Sequence, residues 1–290
     1  MTHNYSIKKQ HKYFIAPLTA SHEKKENNLS HRVIKKSRLN HYWKRMKKLL
    51  PFIYFICWHL GIIKLLYFQK RKTQIVLSYH NIIPDHLFDD ALHLGVSHKC
   101  STFQEQLRIL TQVRKCSLKL NDPNSFMITF DDGYANNFTY AAQLLDKHNI
   151  KALFFVPSWH FESEQPLFID KLMLWLSYVP PGEYYLLNSF ILITADGRNT
   201  AYGILYDTLL TNWDLSDQLI NDLELAFPFK RLNIKSELYS ARFTGLSADQ
   251  IRKLILNGHK IGAHSHAHAP LAALSTKALN EDFQKIEKYK

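Results

Sequence analysis

The sequence predicts an α/β fold with a parallel sheet over residues 73 to 290. Three apolar runs have the length of buried strands: IVLSYH (75–80), FMITF (126–130) and ALFFV (152–156). A segment of helical periodicity with short connections lies between the second and third of these runs. Strand, helix and strand joined in this way form a βαβ unit, whose two strands run parallel.

The first two helices of this region carry start signals. TFQEQLRILTQV (102–113) has apolar residues along one helical face, and Thr102 with Glu105 matches the spacing of a capping box. The next helix follows FMITF. It is expected to begin at Asn136 or Asn137, because asparagine is a favoured residue at a helix N-terminus.

A helix and a strand near the C-terminus repeat this pattern. ADQIRKLILNG (248–258) is a predicted helix that begins with a capping box at Ser247 and Gln250 and ends at Gly258. The strand HKIGA (259–263) follows it directly. The parallel sheet is therefore expected to contain at least these four strands.

Residues 158 to 245 lie between the two halves and form a predicted insertion. The stretch is rich in aromatic residues and has no regular pattern except in PLFIDKLMLWLSYV (166–179), whose periodicity is that of an amphipathic helix. An insertion at this place in the chain is expected to be a lid or a substrate-facing subdomain.

The net charge of +12 comes from the N-terminal quarter of the chain. Residues 1–72 hold 17 of the 37 Lys and Arg residues but only two of the 25 acids, so the remainder is close to neutral. Residues 1–31 are polar and are predicted to form a disordered basic tail. Residues 32–72 combine basic clusters, tryptophans and an apolar centre, which predicts a basic amphipathic or membrane-associated helix.

The apolar centre of that helix, residues 49–68, leaves three arrangements open. Its length fits a membrane span, but His59 and Lys64 interrupt it and basic clusters flank both ends. The three arrangements are attachment to an anionic membrane surface, a membrane span and packing on the domain. The aromatic and basic residues of the helix favour surface attachment. No motif in the chain supports nucleic-acid binding.

The three cysteines, Cys57, Cys100 and Cys116, show no metal-binding spacing. An odd and sparse set also argues against a disulfide framework, so they are expected to be buried thiols of a reducing compartment. No apolar segment follows the first basic residues closely, as it would in a secretory signal peptide. We therefore expect the protein in the cytoplasm or at the inner face of the cytoplasmic membrane, without a cleaved signal peptide.

Asp131 and Asp132 stand side by side directly after the strand FMITF. Two adjacent carboxylates at the end of a buried strand repel each other, so a metal ion, a helix N-terminus or a catalytic role must offset that cost. HSHAH (264–268) follows the strand HKIGA at the same predicted sheet edge. If the chain turns helically there, His264 and His268, four positions apart, face one point.

Asp132 would complete a metal site of one carboxylate and these two histidines, which leaves positions open for water and substrate. Asp131 would then not bind the ion, and it would accept the proton of the activated water. Gly133 allows the backbone to turn tightly. Tyr134 is expected to shape the substrate pocket or to donate a hydrogen bond. His266 is expected to be incidental.

Two motifs carry a resemblance to a known family. TFDDGY (129–134) followed by ALFFV, and then GHKIGAHSHAHAPL (258–271), resemble the NodB-type polysaccharide deacetylase family, which is carbohydrate esterase family 4. IVLSYHNI (75–82) also resembles the family's first strand. The resemblance covers about residues 73 to 290, with the insertion matched only loosely.

The resemblance implies a deformed seven-stranded (β/α) barrel. It also implies metal-dependent removal of N-acetyl groups from the amino sugars of a polysaccharide or a lipid-linked glycan. It puts the catalytic base on Asp131 and the divalent metal, usually zinc, on Asp132, His264 and His268. By analogy it puts His80 in the substrate pocket.

The family's remaining motifs do not occur between the second motif and Lys290. They are an arginine-bearing segment, a strand with a proline and an aromatic residue, and a late Leu-x-His whose histidine is the general acid. We therefore expect a truncated, incomplete barrel without its C-terminal strands, and weak or absent catalysis. The alternatives to a deacetylase are a catalytically inactive remnant and a membrane-associated protein that binds metal or sugar.

Overall fold

The computed structural model describes residues 73–88 and 96–289, so the predicted tail and helix of residues 1–72 lie outside the described residues. Its strands are β1 Ile75–Tyr79, β2 Asn81–Ile83, β3 Ser97–Lys99, β4 Lys115–Cys116, β5 Ser125–Phe130, β6 Leu153–Val156, β7 Gly182–Leu186, β8 Ser189–Ile193 and β9 Lys260–Ala263. Its helices are α1 Cys100–Val113, α2 Gln143–Lys147, α3 Phe168–Tyr178, α4 Arg198–Thr211, α5 Ser216–Ala226, α6 Ser236–Phe243, α7 Ala248–Leu256 and α8 Thr276–Glu287.

The central sheet contains five parallel strands in the order β1-β5-β6-β9, with β4 paired to the start of β5. The middle strand β5 is buried along its whole length, which explains its continuous apolar sequence. Tyr79 pairs with Phe130, and Val156 pairs with Ala263. The residues that follow these strands therefore meet at one carboxyl edge of the sheet. The predicted α/β class with a parallel sheet is confirmed.

The sheet is open in the described residues, with β1 and β9 at its two ends. The deformed seven-stranded barrel stays a prediction, because no closed barrel is formed by the part of the chain that the structure describes. Within that same part, no helix is both long and apolar enough to cross a membrane. The candidate span at residues 49–68 lies outside it.

The predicted capping box at Thr102 and Glu105 is wrong, because α1 begins two residues earlier, at Cys100. The acceptor at this helix N-terminus comes from elsewhere in the chain: the Ser101 N–H donates to Asp85 Oδ1 over 3.1 Å. A remote carboxylate thus satisfies a free N–H group of the first turn, a contact that no local pattern can reveal.

The capping box of α7 is confirmed. The Gln250 N–H donates to Ser247 Oγ over 3.3 Å, and the Ser247 N–H donates to Gln250 Oε1 over 3.0 Å. Gly258 has a φ of +86° just after the helix, as expected of a glycine that ends a helix. Asn136 does precede a helical segment, but that segment starts as a π-helical turn and the Asn136 side chain makes no capping bond.

The sequence predicted an irregular insertion at residues 158–245, but the structure shows a regular one. It contains the antiparallel hairpin β7–β8 and the helices α3 to α6, which enclose an apolar core of their own. Trp175 of α3 lies fully buried there, and its Nε1–H donates to the carbonyl oxygen of Leu223 over 3.0 Å. The predicted amphipathic helix is confirmed as α3. Helix α4 escaped detection because its apolar residues surround the helix instead of marking one face.

Candidate active site and metal centre

The two adjacent acids point in different directions because of the backbone between them. Asp131 continues the direction of β5, and its N–H donates to the carbonyl oxygen of Tyr79 over 2.9 Å. Asp132 has a φ of +69°, which turns its side chain away from that of Asp131 and buries it to 4% exposure. The like charges are thereby separated, and only one of the two carboxylates enters the histidine cluster described below.

Gly133 makes the turn after the acids sterically feasible. Its φ is +61°, and a Cβ atom at this position would lie 2.8 Å from Val156 Cγ1, so both the backbone angle and the space require glycine. This confirms the expectation that glycine is needed for the tight turn.

We expect Gly133→Ala to destabilise the protein by about 1–3 kcal/mol, because it adds left-handed strain and a clash. Gly203→Ala is a matched control, since a Cβ at Gly203 in α4 meets no atom within 4 Å and alanine favours a helix. Urea unfolding measures both variants. Equal free energies of unfolding for the two variants would contradict the argument.

The second motif is a tight turn, not a helix. After β9, the residues Ser265 and His268 have φ values of +56° and +61°, which a helix excludes. The turn is fixed at both ends: the His264 N–H donates to the Val156 carbonyl oxygen, and the His266 N–H donates to Asp282 Oδ1 of α8 over 3.0 Å. The prediction that HSHAH turns helically is wrong, but the tight turn still brings the two histidines together.

His264, His268 and Asp132 form the one group of metal-ligating side chains found in the described residues. Asp132 Oδ1 lies 3.3 Å from His264 Nε2 and 2.9 Å from His268 Nε2. Ligands bound to zinc at about 2.1 Å in a tetrahedron lie roughly 3.4 Å apart, so these separations are close to those of a zinc site.

The hydrogen bonding of this cluster also fits a metal. Asp132 Oδ1 is a buried acceptor without an aligned donor, although two imidazole nitrogens lie within 3.3 Å of it. The ring nitrogens are therefore close to the oxygen but not aimed at it, which is the arrangement of three ligands directed at one shared cation. A buried acceptor left in this way is costly unless a cation or a donor compensates it.

The electrostatics of the cluster keep Asp132 ionised. Burial disfavours its charged form, but the imidazoles of His264 and His268 outweigh burial and hold the pKa of Asp132 well below its ordinary value. Burial likewise disfavours the charged form of His268, yet the Asp132 carboxylate outweighs it and raises the pKa of that imidazole. The Asp132 carboxylate thus stays ionised, and its charge favours a positive charge at His268 or on a bound cation.

Asp131 and His80 face each other beside this cluster. His80 follows β1 and Asp131 follows the neighbouring strand β5, and His80 Nε2 lies 4.0 Å from Asp131 Oδ2. The Ser78 hydroxyl donates to the same oxygen over 2.9 Å. The side chains of His80 and Asp131 are 31% and 24% exposed, so both are accessible to a substrate.

Tyr134 is buried, so the expectation that it binds substrate is corrected, whereas the expectation that it donates a hydrogen bond is confirmed. The residue is 1% exposed, and its hydroxyl donates to Asp170 Oδ1 of α3 over 2.7 Å. The turn at Gly133 carries the tyrosine ring under the loop, into the contact between the sheet and the insertion. Its hydroxyl serves a protein carboxylate, so Tyr134 supports the site from behind.

His160 and His266 are also held by protein groups. His160 Nε2–H donates to the carbonyl oxygen of Asp132 over 2.8 Å, and burial lowers the pKa of this imidazole. His266 Nδ1 lies 2.9 Å from Ser158 Oγ, and the His266 residue is 5% exposed. Neither histidine is available to a substrate, which leaves His80 as the accessible imidazole next to Asp131.

Sequence reasoning missed several residues around the site. Ser78 was detectable as a polar residue within an apolar strand sequence, and Asp170 as an acid within an apolar helix. Tyr202 and Tyr206 of α4 are stacked with ring centroids 5.6 Å apart. Burial raises the pKa of Tyr202 to about 12, with a smaller contribution from the charge of Asp132. No local signal distinguishes these two tyrosines from ordinary core residues.

Comparisons with known proteins agree with the motifs. The family model for polysaccharide deacetylase matches residues 119–181, which contain the first motif and the following βαβ unit. A comparison with curated proteins found no match.

Several solved structures resemble the chain at low identity. A de-N-acetylase from Aggregatibacter actinomycetemcomitans is 14% identical, with a TM-score of 0.34, and the match covers 66% of this chain and 54% of that one. IcaB from Ammonifex degensii is 15% identical, with a TM-score of 0.35 and coverages of 71% and 57%. The Streptococcus pyogenes deacetylase PplD, in complex with acetate, is 12% identical, with a TM-score of 0.39 and coverages of 74% and 68%.

The chain thus spans little more than half the length of the first two of these structures. The family model covers the motif that carries both aspartates, and the second motif brings two histidines to the same carboxylate. With a parallel sheet, both motifs in order and a family model matched over residues 119–181, this chain is similar to polysaccharide deacetylases in the region of its first motif.

Proposed function

We propose that the protein is a metal-dependent hydrolase that removes N-acetyl groups from the amino sugars of a polysaccharide or a lipid-linked glycan. One observation carries the proposal: a buried carboxylate and two imidazoles converge on one point, while a second carboxylate, Asp131, stays outside this cluster. This division suits hydrolysis, which needs one group to hold a cation and another to move a proton. We further propose that the open sheet is part of an incomplete barrel of the family's type.

The proposed metal ligands are Asp132, His264 and His268, and zinc is the expected ion. A bound divalent cation would activate a water molecule and polarise the acetamide carbonyl group. Asp131 accepts the proton of the attacking water. The Ser78 hydroxyl donates to Asp131 Oδ2 and fixes the orientation of the carboxylate, which leaves Oδ1 for the water.

His80 is the proposed proton donor to the leaving nitrogen. In the reaction a bond forms between the water oxygen and the acetyl carbon, and the bond from that carbon to nitrogen breaks. Asp131 takes a proton from the water and His80 Nε2 gives one to the nitrogen, so the products are acetate and the free amine. The two groups follow neighbouring strands and lie 4.0 Å apart, so both can reach the same bound substrate.

We expect His80→Gln to lower kcat by about 10²- to 10⁴-fold, the usual range for losing a general acid, while metal affinity stays nearly unchanged. The matched control is His86→Gln, because His86 has a 74% exposed side chain and lies on the turn after β2. Acetate release at saturating substrate measures both. An undiminished kcat in His80→Gln would remove this histidine from the mechanism.

Acetate release from N-acetylglucosamine oligosaccharides tests the proposed function itself. The full chain is assayed after treatment with a chelator and again after addition of Zn²⁺. Activity that is lost with the chelator and restored by zinc would support a metal-dependent deacetylase. Zinc binding without acetate release would favour the alternative, a catalytically inactive protein that binds metal or sugar.

We also propose, from the sequence, that residues 32–72 attach the protein to an anionic membrane surface on the cytoplasmic side. Basic clusters and tryptophans of this kind bind headgroups of anionic lipids. Flotation with vesicles containing phosphatidylserine compares the full chain with a variant that lacks residues 32–72. Equal flotation of the two proteins would argue against this role.

A further inference from the structure

The insertion contributes a buried ion pair directly beneath the metal-ligand loop. Asp170 of α3 is fully buried, Arg242 of α6 is 1% exposed, and Arg242 Nη1 lies 3.5 Å from Asp170 Oδ1. Asp170 lies within the range that the family model matches, whereas Arg242 lies beyond it. The proposed reaction uses neither of them.

Tyr134 joins this ion pair to the loop that carries Asp132. Its hydroxyl donates to Asp170 Oδ1 over 2.7 Å, and its ring faces the Arg242 guanidinium with 5.0 Å between the ring centroid and Cζ. The carboxylate of Asp170 thus binds the tyrosine hydroxyl, and the guanidinium of Arg242 packs against the face of the ring. Tyr134 is two residues from Asp132, so its position limits where the loop can go.

The backbone around Arg242 fixes the same loop from a second direction. The Ala135 N–H donates to the Thr244 carbonyl oxygen, and the Leu246 N–H donates to the Gly133 carbonyl oxygen, each over 2.8 Å. Tyr134 and Gly245 form an antiparallel bridge between these two bonds. The end of the insertion therefore clamps residues 133–135 through both backbone and side chain.

Stability alone explains this pair poorly. Asp170 Oδ2 and Arg242 Nε are buried without hydrogen-bond partners, so the pair is desolvated but incompletely satisfied. Buried pairs of this kind are often no more stabilising than apolar residues of similar volume. A backbone in the left-handed region, such as that of Asp132 at φ +69°, persists only where its surroundings hold it in place.

We infer that Asp170 and Arg242 are positioning residues that act through Tyr134 to hold Asp132 in its metal-binding orientation. The inference rests on the proposed function, because it takes Asp132 as a metal ligand. The ion pair prevents the Tyr134 ring from rotating or withdrawing, and the tyrosine in turn holds the turn at Gly133. Groups that orient a ligand in this way are worth about 10- to 100-fold in metal affinity.

The test measures the dissociation constant for Zn²⁺ alone, by competition with a chromophoric chelator, together with the melting temperature. The variants are Tyr134→Phe, which removes one hydroxyl, and Asp170→Asn, which keeps the shape and removes the charge. Tyr184→Phe is the matched control. It removes a hydroxyl that donates to the Pro180 carbonyl oxygen within the insertion, away from the loop. We expect about 10-fold weaker zinc binding in the first two variants. The control should bind zinc as tightly as the wild-type chain.

Each outcome has a distinct meaning. Weaker zinc binding in Tyr134→Phe, at a melting temperature similar to that of Tyr184→Phe, supports the inference whether or not the protein turns over substrate. Unchanged zinc affinity in Tyr134→Phe overturns it, even if both variants melt earlier or Asp170→Asn fails to fold. A wild-type chain that binds no zinc overturns the proposed function and the inference together.

Discussion

A His268→Ala variant is expected to bind zinc more than about 100-fold more weakly than the wild-type chain. The imidazole of His268 lies 2.9 Å from Asp132 Oδ1 and is one of three side chains that converge on the proposed ion. Changes to groups that merely support a ligand already cost roughly 10- to 100-fold, so removal of the ligand itself must cost more. Acetate release should fall to background in the same variant.

The measurement is a zinc titration with His86→Ala as control, because that histidine is exposed and does not belong to the cluster. Zinc binding should also weaken as the pH falls through the pKa of His268, which Asp132 raises above its ordinary value of about 6.5. The sign follows from the ligand chemistry, since only the neutral imidazole binds the metal and protons compete with it. Retention of wild-type affinity by His268→Ala would exclude this ligand set.

An Asp131→Asn variant is expected to bind zinc within a few-fold of wild type but to release acetate about 10²- to 10⁴-fold more slowly. Asparagine keeps the size of the side chain and still accepts the hydrogen bond from Ser78. It cannot take a proton from water. Asp131 also lies outside the cluster of metal-ligating atoms, so its charge is not needed to complete the set of ligands.

The comparison of Asp131→Asn with His268→Ala separates the two roles of the paired acids. A loss of turnover with intact zinc binding identifies a base, whereas a parallel loss of both identifies a ligand. If Asp131→Asn kept the full rate, the base would have to be another group. If it lost zinc as completely as His268→Ala, Asp131 would belong to the metal site.

The cluster of Asp132, His264 and His268 could be predicted because each residue follows a strand that its local sequence reveals. Asp131 and Asp132 follow an apolar strand directly, the two histidines follow another strand, and parallel strands bring such ends to one edge. The turn at Gly133 was predictable for the same reason, since glycine permits it. The shape of the HSHAH turn was not, because the carboxylate of Asp282 that receives its backbone N–H lies on a helix further along the chain.

The contacts that support the site depend on residues distant in sequence, and no local pattern specifies them. Tyr134 appeared to face the substrate because the sequence does not state which way a side chain turns after a glycine. Its partner Asp170 was visible as an acid in an apolar helix, and a buried carboxylate must find a donor. The sequence could show that Asp170 needs a partner, but only the packing of the insertion identifies that partner.

The wide separation of the proposed metal ligands along the chain would link zinc binding to folding. Asp132 and His264 are more than a hundred residues apart, so an unfolded chain keeps only His264 and His268 of this ligand set close together. An ion that prefers the folded chain raises the free energy of unfolding by about 2.7 kcal/mol at a free concentration of 100 times its dissociation constant. Zinc availability in the cell would then set how much of this protein escapes proteolysis, as well as how fast it works.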